Sequence, residues 1–300
     1  MEFNQITIPC KRRIDEWFTL YGLGDVHEGS AGSDTDAFQK KIDEIRDDDH
    51  AYAVLMGDQA EFIPKGDGRW NTRALARRYK QGSIDNIITE QIMTTNRRYY
   101  PIRKKIVGII DGNHERSIFK HYERDVSYEM WLHLNDININ DTVKGQSETA
   151  IMNPDKYKNP TVKRLYDAGV VRLSFINRNE KSRHPWKVSF DVFVTHSTIA
   201  GRTPGGKANR IEQYLKEWDV DVVIIGHGHS MPAIPYSTSG FNRYGRLITK
   251  KKRGVMCGSW LKTYTQGANG YGEVAGYNNC EIGTPKIQFN PHLMNIRVIV

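Results

Sequence analysis

Five short polar motifs, each set where an apolar run ends, constrain this chain more than anything else in it. They are Gly24-Asp25-Val26-His27, Gly57-Asp58, Gly112-Asn113-His114-Glu115, Thr195-His196 and Gly226-His227-Gly228-His229. Repeated delivery of Asp, Asn and His to the ends of buried strands points to an open α/β sheet, in which ligands sit at the carboxyl ends of strands. The motifs hold enough donors for two adjacent metal sites. Two cations a few Å apart suit one chemistry above others, the attack of a metal-activated hydroxide on a phosphate ester.

The hydrophobic pattern supports that layout. Residues 17–22, 51–56 and 105–110 are apolar without alternation and read as buried strands. Residues 34–47 carry Phe38, Ile42 and Ile45 at helical spacing after an acidic start. Helices are expected over 70–80, 83–99 and 116–134, and a loop or insertion over the polar stretch 135–165. Strands follow at 170–176 and 187–194, then a Gly/Pro/Thr-rich loop from His196 to Arg210, a short helix at 211–218 and a strand at 220–225. Strands and turns complete the chain to Val300. This alternation gives an α/β class with a largely parallel sheet. There is no internal repeat, and one domain over 1–300 is expected, with an insertion at 120–165.

The chain has 300 residues, 38% hydrophobic and 26% charged, the balance of a folded globular protein. Cys10, Cys257 and Cys280 are too few and too scattered for a disulfide framework or a cysteine zinc site. The first residues lack the basic start and apolar stretch of a secretory signal. No apolar run is long enough to span a bilayer. A cytoplasmic protein without membrane contact is therefore expected, and its oligomeric state is left open. The net charge of +8 favours encounters with polyanions.

Residue types narrow the chemistry. Asp25 and His27 are two apart, and in an extended chain they point the same way, towards one cation. Asp58 has two carboxylate oxygens and can bridge two cations; alternatively it caps the next segment. Asn113 offers a neutral oxygen ligand, while the adjacent His114 is free to act as an acid. Gly112 lets the backbone bend close to the metals. Asn113-His114 could also cap the following helix, and His196 taken singly could be a structural histidine. Gly228 between His227 and His229 allows a turn that sends the two imidazoles to different ions.

Over residues 22–229 the ordered set of motifs resembles the calcineurin-like metallophosphoesterases. The resemblance implies a four-layer α-β-β-α sandwich of two mixed β-sheets. It implies a first metal held by Asp25, His27, Asp58 and His229, and a second held by Asp58, Asn113, His196 and His227. Mn²⁺ is the first choice, with Fe or Zn²⁺ also suited to such a mixed shell. His114 matches the family's non-ligand histidine, which protonates the leaving oxygen or holds the phosphate. Glu61 falls where some members carry a carboxylate that orients this histidine. Arg116 is a candidate for gripping a phosphate oxygen, or else a solvated helix residue.

The substrate class is less specified. Protein serine/threonine phosphatases follow the bridging Asp with a pattern ending in Asp-Arg-Gly, whereas this chain continues Gln59-Ala60-Glu61-Phe62. The Gly-His-x-His ending is closer to the nuclease and phosphodiesterase branches, though these often have Asp where this chain has Glu115. Three basic clusters suit a nucleic-acid backbone. The first is Arg69, Arg73, Arg77 and Arg78 with Trp70 and Tyr79. The second is Arg97, Arg98, Arg103, Lys104 and Lys105, and the third runs from Lys250 to Arg253. The expectation is a dimetal phosphodiesterase acting on nucleic acid or a nucleotide. A phosphomonoesterase and a non-catalytic nucleic-acid-binding relative are the alternatives. The loop from Gly201 to Lys207 closes over substrate or is an inert connection, and Trp260, Tyr264 and Tyr271 line the cleft or pack the second sheet.

Overall fold

A computed structural model describes residues 1–81, 86–137, 161–177, 185–197, 203–267, 273, 276 and 278–300. Among the described residues, twelve strands form two six-stranded mixed sheets. The first sheet contains β2 (Phe18–Leu23), β3 (Ala51–Leu55), β4 (Ile106–Ile110) and β5 (Arg164–Tyr166), all parallel. The antiparallel β11 (Lys286–Asn290) and β12 (Asn295–Ile299) complete it in the order β12-β11-β2-β3-β4-β5. The second sheet contains β1 (Glu2–Pro9), β6 (Ala168–Asn177), β7 (Trp186–Thr195), β8 (Val222–Ile225), β9 (Ala233–Phe241) and β10 (Leu247–Met256). Its order is β1-β6-β7-β8-β10-β9.

Strands β2, β4 and β8 are buried along their whole length, as unbroken apolar runs covered on both faces should be. One apolar layer lies between the sheets, with Leu20, Val54, Val107, Phe175, Val192 and Ile224 among its members. A second layer packs the outer face of the first sheet against helices α1 (Thr35–Asp47), α3 (Ile87–Tyr99) and α5 (Val126–Leu134). A third packs the second sheet against α6 (Pro204–Glu217) through Phe193, Ile211, Leu215 and Val223. The result is the expected four-layer sandwich. In α1 the buried residues are the predicted Phe38, Ile42 and Ile45, and Asp34 accepts a hydrogen bond from Ala37 N at 3.0 Å to cap the helix.

Several elements differ from expectation. Over 70–80 only α2 (Arg77–Gln81) is helical. Side-chain oxygens of Asp67 and Asn71 accept from Arg69 N and Arg73 N at 2.8 and 2.9 Å, which favours turns over helix. Ala76 N then bonds Gly29 O at 2.8 Å, tying this segment to the first motif. The helix expected over 116–134 is two helices, α4 (Asn113–Tyr122) and α5. Glu123 adopts a left-handed conformation at the end of α4, and Asp125 accepts from Tyr128 N to begin α5. Helix α6 starts at Pro204, seven residues earlier than expected, because Thr203 caps it and proline suits the first turn. Strand β1 escaped the pattern because it is an edge strand that alternates polar and apolar residues.

Most of the polar stretch 135–165 lies outside the described residues, as do Gly201, Arg202 and Tyr271. The described flanks of the expected insertion belong to the core. Trp131 is buried and donates its indole N–H to Val162 O at 2.7 Å, and Arg164–Tyr166 pairs with β4. Trp260 packs edge-on against Phe38 in the core, whereas Tyr264 is half exposed. No described helix is long and apolar enough to cross a membrane.

Candidate metal centre

The ends of β2, β3 and β4 in one sheet and of β7 and β8 in the other open onto one place. Backbone bonds carry the pairing of β2 and β3 past their ends: Asp25 N to Gly57 O at 3.0 Å and Val26 N to Asp58 O at 2.9 Å. Gly226 N bonds Thr195 O at 2.9 Å across the other sheet. The two sheets are then stitched together by His227 N, which donates to Asp25 Oδ2 at 3.0 Å.

Asp58 lies at the middle, fully buried. Its Oδ1 accepts from His114 N at 2.9 Å, and its Oδ2 lies 3.3 Å from His196 Nε2 and 3.9 Å from His227 Nδ1. His196 Nε2 is also 3.0 Å from Asn113 Oδ1, while its Nδ1 donates to Met56 O at 2.6 Å. On the other side His229 Nε2 stands 3.0 Å from Asp25 Oδ1 and 3.4 Å from His27 Nε2. Donor atoms of Asp25, Asp58, His196 and His227 lie within 4.8 Å of one another, as do those of Asp25, His27 and His229, so Asp25 belongs to both groups. His27, Asp58 and His114 form a third such group. All seven expected ligand residues are brought together.

The side chains fit cations. Asp25 Oδ1 and His227 Nδ1 are buried and make no hydrogen bond, despite the nearness of His229 Nε2 and Asp58 Oδ2. Imidazole nitrogens 3.4 Å apart with carboxylate oxygens beside them are a donor set that a transition-metal ion satisfies. The charges agree. Burial opposes ionisation of Asp58, but the His196 and His114 rings hold its carboxyl well below the usual range. Burial likewise opposes charge on His229, yet Asp25 raises it to about 10. His196 is raised to about 9 by Asp58 against the same burial. His27 moves the other way, lowered by burial and by His114.

Two expected details are corrected. Asp25 and His27 do not sit on an extended strand, because both have left-handed φ of 51°. Gly228 is not the turning point either. His227 and His229 themselves carry φ of 74° and 44°, so the imidazoles diverge through their own backbone. The close approach expected of Gly112 is present. A Cβ there would lie 2.2 Å from Asp58 Oδ1, and one at Gly57 would lie 2.5 Å from Gly112 N.

His114 meets Glu61 through the main chain, its Nδ1 donating to Glu61 O at 2.5 Å. The Glu61 carboxylate lies between two rings, 3.8 Å from His114 Nδ1 and 3.6 Å from His27 Nδ1. Arg116 is partly exposed, and it pairs with Asp167 at 2.9 Å and donates to His196 O at 3.2 Å. Glu115, to which sequence reasoning gave no role, is buried and accepts from the amides of Asp58, Gln59 and Gly112, each at 2.9 Å. Its position at the third residue of a helix, where glutamate bonds back to the cap amide, was the available signal.

The family profile described as calcineurin-like phosphoesterase matches residues 18–231. The chain belongs to the calcineurin-like phosphoesterase family. The matched residues span every element that carries a candidate ligand. No curated protein sequence matches the chain. Among solved structures, a conserved uncharacterized protein from Streptococcus pneumoniae, described as a predicted phosphoesterase, shares 9% identity at a TM-score of 0.30. That alignment covers 91% of this chain and 84% of the other. A single mutant of Vps29 from Entamoeba histolytica shares 11% identity at a TM-score of 0.31, over 95% of this chain and 98% of that one. Scores this low add nothing to the family match.

Proposed function

We propose that this calcineurin-like phosphoesterase is a dimetal phosphodiesterase acting on nucleic acid or a nucleotide in the cytoplasm. The observation that carries the reading is the convergence of two donor groups on the buried Asp58. Asp25, His27, Asp58 and His229 would hold one divalent cation, and Asp58, Asn113, His196 and His227 would hold the other, with Mn²⁺ the first choice. Two such cations supply an activated water and neutralise charge on the phosphoryl oxygens.

The chain's own residues do the rest. Glu61 O accepts a hydrogen bond from His114 Nδ1–H, which leaves Nε2 of the protonated ring as the nitrogen that gives a proton to the departing oxygen. The carboxylate of Glu61 faces His27 Nδ1, the partner expected for a metal-binding imidazole. Glu115 fixes the main chain on both sides of Asp58 through its three amide bonds.

A diester is favoured over a monoester by charge. A terminal phosphate carries a second negative charge and calls for further cations. The nearby guanidiniums are committed, Arg116 to Asp167 and His196 O, and Arg69 to Asp67 and Ser117. The positive net charge favours a polyanionic substrate, and the three free thiols suit a reducing compartment.

The test is turnover of bis-p-nitrophenyl phosphate, p-nitrophenyl phosphate and DNA or RNA oligonucleotides, with Mn²⁺, Mg²⁺ and Zn²⁺ separately. The expected result is diester and oligonucleotide cleavage abolished by chelator and by Asp58→Asn, with loss of bound metal. Preference for the monoester with intact oligonucleotides overturns the substrate class. No hydrolysis with any metal overturns the enzyme.

A further inference from the structure

Strands β9 and β10 run on beyond their sheet. β10 pairs with β8 only from Arg253 to Met256, whereas β9 and β10 stay paired with each other from Ala233↔Val255 to Phe241↔Leu247. The outer part is therefore a two-stranded ribbon. Its turn is firmly built: Asn242 N bonds Arg246 O at 3.0 Å, and Asn242 Oδ1 accepts from Tyr244 N and Arg246 N at 2.9 and 3.1 Å.

The tip is chemically unusual. Phe241, Tyr244 and Leu247 are 74%, 71% and 67% exposed. Arg243 stacks on the Tyr244 ring at 4.7 Å. No Asp or Glu occurs between Asp221 and Glu273, while the ribbon and its turn carry Arg243, Arg246, Lys250, Lys251, Lys252 and Arg253. Two of these anchor the base. Lys250 pairs with Asp219, and Lys252 is buried and donates to Leu215 O and Trp218 O. Among the described residues, no ion pair involves Arg243, Arg246 or Lys251.

We propose that this ribbon is an arm that enters the major groove of a DNA duplex. This rests on the reading of the metal centre as a nucleic-acid phosphodiesterase. Paired strands are about 5 Å apart, and a major groove about 12 Å wide admits a two-stranded ribbon. Arg243, Arg246 and Lys251 meet phosphates, and Tyr244 and Phe241 lie against bases or sugars. The stem favours a duplex over a lipid surface. Ser237, Ser239 and Thr249 are exposed along it, hydroxyls suited to base edges and phosphate oxygens rather than to acyl chains. The arm leaves the sheet at the end opposite the metal centre, because β10 runs parallel to β8 and only its Arg253–Met256 part pairs with it, so it grips a duplex at a distance from the chemistry.

The test uses the full chain and the variant Arg243→Ala/Arg246→Ala/Lys251→Ala. Binding to a labelled DNA duplex is read by anisotropy in EDTA across a salt series. The expected result is a log–log salt slope shallower by about 2–3, at about 0.9 per lost phosphate contact, with bis-p-nitrophenyl phosphate turnover unchanged. Tyr244→Ala, which keeps every cation, is expected to bind about tenfold more weakly. If wild type binds the duplex and both variants bind with the same affinity and slope, the arm is wrong and the nuclease reading stands. If wild type hydrolyses the small diester but never binds duplex, both fall. Ribbon-dependent binding to phosphatidylserine vesicles, with ribbon-independent duplex binding, overturns the arm in favour of a lipid surface.

Discussion

At Glu61 the chain divides the work of one residue between two atoms. The carbonyl fixes His114, while the carboxylate stands 3.6 Å from His27 Nδ1. A side-chain replacement therefore leaves the histidine's main anchor in place. Glu61→Gln is expected to keep turnover within about tenfold of wild type, whereas His114→Asn lowers kcat by about 10²–10⁴-fold with both metals still bound. Steady-state kinetics alongside metal analysis check both, and equal losses in the two variants would contradict the division. The seven candidate ligands were legible because each pairs a metal-binding side chain with the end of an apolar run. Glu115 was legible only in part: its place as third helix residue signals the bond to the Gly112 amide, whereas its bonds to the Asp58 and Gln59 amides needed the fold. Arg116 had the right chemistry in sequence, but its committal to Asp167 needed the fold.

Among elements, long buried runs were the legible part. β2, β3, β4 and β8 are almost wholly apolar, and α1 repeats its buried positions at helical spacing. Boundaries set by side-chain capping were not. The break at Glu123–Asp125 and the early start of α6 depend on one left-handed residue and on single hydroxyl or carboxylate caps. Helix α1 also joins the terminal sheet strands through Glu44, which meets Lys286, Lys41 and Tyr21. Partial burial opposes ionisation of Glu44, but these partners, Lys286 first, lower its pKa from the ordinary 4.5 to about 2. A depressed carboxyl means that the unfolded chain binds the proton more readily. The stabilisation is thus complete above about pH 4.5 and lost as pH falls towards 2. Glu44→Gln is expected to lose about 1 kcal/mol at neutral pH, solvent screening limiting the pair, and to narrow its gap from wild type on acidification. Denaturant melts at pH 7 and pH 3 measure this, and a gap that widens in acid would contradict it.

For the whole molecule, the sandwich turns five distant motifs into one centre by aligning the ends of strands from both sheets. Its basic clusters show what sequence alone could not assign. Arg78 and Arg98 close on the buried Glu28, Arg103 on Asp136, and Lys105 on the carbonyls of Ile45, Arg46 and Asp48. Part of what reads in sequence as a run of free positive charge is tied to the protein's own oxygens in three dimensions. The centre has a cost of its own. Of the eleven non-glycine residues with positive φ among those described, five are candidate ligands: Asp25, His27, Asp58, His227 and His229. Left-handed backbone disfavours a side chain by roughly 1–2 kcal/mol per residue, so the ligand cage is held in a posture its own residues resist. His227, whose Nδ1 makes no hydrogen bond, isolates the effect. With cations chelated, His227→Gly is expected to melt about 1–3 °C higher than wild type, while losing turnover with them restored. A lower melting temperature would refute it. Robustness alone would favour glycine at these positions, so the histidines and aspartates there are kept in a strained backbone for the donor atoms that only their side chains supply.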